Sequence, residues 1–134
     1  MTVTTPRFIR TALVLDAAAS GALAILAIAA APLLSPLLGL PQALLVWAGV
    51  LLVPWVALLV VLARRSSVAR MLLIDVVALN ALWVAASFGL LASGLVTPTV
   101  LGSAFVLLQA LAVAGFAVLQ MMALRRATAG EATA

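Results

Sequence analysis

Four long stretches of the chain are almost wholly apolar, and short runs rich in proline, glycine, serine or arginine separate them. Each stretch holds the ~20 apolar residues that a helix rising ~1.5 Å per residue needs to cross a hydrocarbon layer of ~30 Å. The pattern predicts helices over about residues 8–33, 42–63, 70–93 and 98–124, in one membrane domain covering residues 1–134. Pro32, Ser35, Pro36, Gly39 and Pro41 punctuate the first connection, and Ser93, Gly94, Thr97 and Pro98 the third. Both are uncharged, whereas the middle connection, RRSSVAR from Arg64 to Arg70, is basic. The expected fold class is all-α, a four-helix transmembrane bundle. Aligning DAAASGALA (from Asp16) with DVVALNALW (from Asp75) suggests that it consists of two pseudo-repeated helical hairpins.

Charge adds an orientation. All seven basic residues are arginines, in the clusters Arg7/Arg10, Arg64/Arg65/Arg70 and Arg125/Arg126. Two crossings separate each cluster from the next, so all three fall on one side of the bilayer, which the positive-inside bias makes the cytoplasm. The expectation is N-in and C-in. Arg7 and Arg10 ahead of an apolar run resemble a secretory signal, but Asp16 interrupts that run and it continues to about Ala31, too far for a signal-peptide core. The segment is expected to stay as a helix of the mature protein.

Composition excludes more than it assigns. With 68% hydrophobic and 7% charged residues and a mean hydropathy of +1.42, the chain lies far from soluble domains. Its formal charge of +4 sits beside membrane spans and forms no stripe with interleaved aromatics, so no nucleic-acid partner is expected. Cysteine, histidine and tyrosine are absent. With no glycine-rich phosphate loop and no HExxH pattern either, the sequence carries no expected catalytic residue, cofactor site or metal site, and enzyme activity is not anticipated.

The polar residues inside the spans are the candidates for function. Asp16, Asp75 and Gln120 each stand five or six residues from the nearest arginine, ~7 to 9 Å along a helix and at matching depth. A charge facing lipid there is costly, so both aspartates are expected to face the bundle interior. The favoured arrangement is a pair of ion bridges, Asp16 with Arg70 and Asp75 with Arg10. The alternative is a proton or cation site built from both carboxylates. Ser20 and Asn80 lie nearer the midplane and read as hydrogen-bonding glue between helices. Gln109 shares a helical face with Val113, Phe116 and Gln120, a face expected to point inward or to a partner. Ala81, Ala85, Gly89 and Ser93 form a ridge of small residues suited to close helix contact.

The segments DAAASGALA, GLP, ALNALW and LGSAFVLLQAL together resemble a group of uncharacterised small bacterial four-helix inner-membrane proteins, across nearly the whole chain. In size and topology the chain is also loosely similar to the DoxX-like proteins. It shares length and a first-helix carboxylate with small multidrug exporters, from which its one-sided arginines separate it. The resemblance implies a bacterial inner-membrane location and no reaction. Two function classes follow. The favoured one is a structural or accessory subunit in the lipid bilayer that docks against itself as a homo-oligomer or against a larger membrane complex. The other is a small proton- or cation-coupled carrier or channel using Asp16 and Asp75.

Overall fold

A computed structural model describes residues 2–133. Four of its helices are long and apolar enough to cross a membrane, as the pattern predicts. They are α1 (Arg7–Ala29), α3 (Gln42–Arg64), α4 (Arg70–Ser93) and α5 (Val100–Thr133), and a short α2 (Ala31–Leu38) follows α1 directly. The chain is thus a multi-pass helical membrane protein.

Helix α2 occupies much of what the sequence marks as a loop. Proline lacks an N–H, but the first turn of a helix has unbonded N–H groups anyway, so Pro32 at the start of α2 is tolerated there. The chain breaks at Ala30 and begins again as a helix. It stops at Gly39, whose φ of 65° is the left-handed conformation that glycine adopts without steric penalty. The amides of Gly39 and Leu40 both return to the Ser35 carbonyl, at 2.9 and 3.3 Å, while the Ser35 hydroxyl donates to the Leu40 carbonyl. Helix α5 begins two residues later than the sequence predicts and runs on past Leu124.

Two strands were not expected. Strands β1 (Thr2–Thr4) and β2 (Ser67–Ala69) pair antiparallel, with Thr2 opposite Ala69 and Thr4 opposite Ser67. The Thr5 amide continues the ladder to the Ser66 carbonyl. A two-stranded sheet is marginal by itself. Here Val68 is buried among Ile9, Leu62 and Leu124, so the helix ends support the sheet. The segment ahead of α1 and the connection between α3 and α4 therefore lie at one end of the bundle. At the other end Thr99 latches the two turns there together: its amide and hydroxyl donate to the carbonyls of Leu38 and Leu37.

Helix α1 is the centre of the bundle. Its buried positions, Ile9, Leu13, Asp16, Ser20, Ala24 and Ala27, recur at spacings of three and four and make one continuous stripe. Helix α3 packs along it through Leu52, Leu59 and Leu62, and α5 packs on its other side. Gly49 allows the closest approach of α1 and α3, since a Cβ there would press on Ile28 and the Ala24 carbonyl. Gly102 plays the same part between α2 and α5: a Cβ would overlap the Leu38 carbonyl. Helix α4 packs on α5. Helices α3 and α4 scarcely touch each other, so the bundle is open along that side.

Candidate functional site

The densest polar arrangement in the interior joins three helices. Asp16 on α1 is fully buried, and Ser20, Asn80 and Gln120 around it are buried as well. The Ser20 hydroxyl, one turn along α1, donates to Asp16 Oδ1 at 3.0 Å. Asn80 Nδ2 from α4 and Gln120 Nε2 from α5 both donate to Asp16 Oδ2, each at 2.8 Å. Asn80 Nδ2 also donates to Gln120 Oε1 at 2.9 Å, which closes a ring of hydrogen bonds across α1, α4 and α5. The carboxylate acts only as acceptor, and its partners are hydroxyl and amide donors.

The expected ion bridges do not form. Among the described residues neither aspartate pairs with an arginine. Asp16 lies on the buried stripe of α1, where the amides of α4 and α5 reach it, so its oxygens are already satisfied. Arg10, six residues back, turns the other way and donates from Nε to the Ala63 carbonyl at 3.0 Å. That carbonyl belongs to the last turn of α3, the negative end of the helix dipole, which a cation favours. Arg70 opens α4, and its Nε is buried without a hydrogen-bond partner among the described residues.

Asp75 departs furthest from expectation. It is exposed on the outer surface of α4, because the five residues to Asn80 turn the helix ~140° at 3.6 residues per turn, away from the core. Among the described residues the interior therefore holds one carboxylate, and no two carboxylates share a site. The small ridge likewise faces outward: Ala81, Ala85, Gly89 and Ser93 are all exposed, and nothing lies within 4 Å of where a Gly89 Cβ would be.

Gln109 does point inward, in a second polar set nearer the far end of the bundle. The Trp83 indole N–H donates to Gln109 Oε1 at 2.8 Å. Gln109 Nε2 donates to the Ser87 hydroxyl and to the Val106 carbonyl, and Ser87 in turn donates to the Trp83 carbonyl. This set ties α4 to α5 and leaves its own side chains satisfied. The sequence reading missed the roles of Trp83 and Ser87. Their spacing of four, on the helix that also carries Asn80, was the available signal.

Among the described residues no cluster of histidine, cysteine, aspartate or glutamate has a geometry for a metal ion. Comparison with protein-family models, with curated proteins and with solved structures gives no match to this chain.

Proposed function

We propose that this chain is a non-catalytic accessory subunit of a bacterial inner membrane, and that it docks a second copy of itself or a larger membrane complex along the outer face of α4. One observation carries the reading: Asp75, inside a membrane-spanning helix, presents its carboxylate outward with no ion-pair partner among the described residues. A carboxylate facing hydrocarbon is unfavourable by up to a few kcal/mol, and a cation or donor from a neighbouring chain relieves that. Leu82 and Gly89 follow Asp75 at intervals of seven on the same exposed face, beside the small ridge. Small residues let a partner's backbone come close, which drives association where lipid removes the hydrophobic contrast. The arginine distribution supports placing the strand-bearing end in the cytoplasm.

A carrier reading needs a carboxylate that meets both substrate and water. Asp16, locked by three donors, and Asp75, on the outside of another helix, do not combine into such a path. The deciding experiment places a photo-crosslinking amino acid at Ala85, exposed on the small ridge, in native membranes, with Ile25 on the exposed surface of α1 as control. A discrete adduct from Ala85 that weakens in Asp75→Ala, and none from Ile25, is the expected result. If Ala85 yields no adduct, or if proteoliposomes show proton-driven flux lost in Asp75→Asn, the accessory-subunit reading fails.

A further inference from the structure

The gap between α3 and α4 is a structured crevice. It comprises two chambers of about 360 and about 370 Å³, each within the ~300–1,000 Å³ range of small-molecule pockets. Both chambers are lined by Leu23, Leu51, Leu52, Trp83 and Ala86, so they adjoin across those side chains. Its flanks are α3 and α4, and its floor is α1 and α5. Leu51 and Leu82 at its edges are 63% exposed, so the mouth opens sideways, toward hydrocarbon. What enters is therefore a molecule already dissolved in the bilayer.

The two chambers differ in chemistry. The one nearer the Thr99 latch is bounded by Leu44, Trp47, Leu90 and Phe105 and by the Gln109 set. The polar side chains of that set are mutually satisfied, so this chamber suits a plain hydrocarbon chain. The deeper chamber is lined by Ser20 and Asn80. Asn80 is 3% exposed. The Asn80 Nδ2 group is committed to Asp16 and Gln120; since those two oxygens only accept, the amide oxygen of Asn80 is the atom left over. It has no donor among the described residues. The Ser20 hydroxyl spends its proton on Asp16 and retains a lone pair. Because the Asn80 side chain borders this chamber, a donor that enters the crevice can reach that oxygen.

We infer that the crevice between α3 and α4 binds an elongated, bilayer-dissolved molecule bearing a hydroxyl, whose O–H donates to Asn80 in the deep chamber while its chain lies in the apolar chamber toward the Thr99 latch. The ligand class is a long-chain alcohol or a molecule with the same two parts. An anionic headgroup is disfavoured beside Asp16, and a cation finds its carboxylate already saturated.

The protein carries its own reporter. All three tryptophans of the chain, Trp47, Trp55 and Trp83, line the crevice, and bromine quenches indole fluorescence at contact. The purified full chain in phosphatidylcholine nanodiscs is titrated with 9,10-dibromooctadecan-1-ol and, separately, with its methyl ether, which has the same chain and no donor. The alcohol is expected to quench saturably, and the ether to need about five- to tenfold more for the same effect, the worth of one hydrogen bond. Asn80→Leu should make the two probes equal. Because that change also disturbs the ring around Asp16, Ala86→Phe serves as a second variant: it fills the crevice without touching the ring, and should abolish saturable quenching while helicity is retained. Equal quenching by alcohol and ether in the unmodified protein, or saturable quenching by the alcohol that survives Ala86→Phe, overturns the inference.

Discussion

Asp16 is the residue on which the interior turns. Replacing it by leucine keeps the branching, adds volume and leaves amide donors of Asn80 and Gln120 in hydrocarbon without an acceptor. Each stranded donor costs about 1–3 kcal/mol, so Asp16→Leu is expected to destabilise by about 2–5 kcal/mol, measured by reversible unfolding in mixed detergent. Asp16→Asn should cost under ~1.5 kcal/mol, because the new amide keeps an oxygen toward Asn80 and Gln120 while its NH2 faces Ser20, whose hydroxyl rotates to accept. Equal losses in both variants would show that the ring does not hold these helices. The sequence shows Asp16, Ser20, Asn80 and Gln120 inside the spans, and the matching depth of Asp16 and Gln120 follows from counting residues. Which side chain meets which does not follow. That depends on how each helix is rotated about its axis, and helices apolar on all sides give little sign of their rotation. Arginines at similar depth on another helix therefore looked like partners for carboxylates that face elsewhere.

At the scale of the elements, backbone approach separates the glycines. Gly49→Leu forces a side chain into Ile28 and the Ala24 carbonyl. It should spread α1 from α3 and destabilise by about 1–3 kcal/mol, the usual effect of overpacking. Gly89→Ala meets open space and should leave the monomer unchanged or stabilise it by up to ~1 kcal/mol through helix propensity. The same unfolding assay checks both, and a Gly49→Leu variant as stable as the original would contradict the close approach of α1 and α3. The four spans were legible because length and hydropathy suffice to mark a crossing. Helix α2 was not, since Pro32, Ser35 and Pro36 signal a break equally well whether the chain turns or restarts as a helix. The β1 and β2 pairing was hidden for another reason. Each strand is three residues long, and its partner lies beyond two crossings.

For the molecule as a whole, strand pairing at one end and the Thr99 latch at the other fix the parity of the connections whichever way the protein inserts. The absolute side rests on the arginines. Reporter fusions after Leu37 and after Val96 are expected on the outer side, and a fusion after Ser67 in the cytoplasm. A substantial outside population at Ser67 would restore a dual-orientation exporter as a reading. The latch also bears on how this chain tolerates inherited change. Every glycine codon begins with two guanines, so a single base change at either place gives alanine, valine, serine, cysteine, arginine, tryptophan, aspartate, glutamate or a stop. All those amino acids bring a Cβ, and at Gly102 the Leu38 carbonyl stands where that atom would go. Gly102 should thus have almost no permitted one-step neighbours. In a saturation library selected for folded protein its column should be nearly blank, while that of Gly94, with nothing within 4 Å and a φ of 74°, should still admit asparagine.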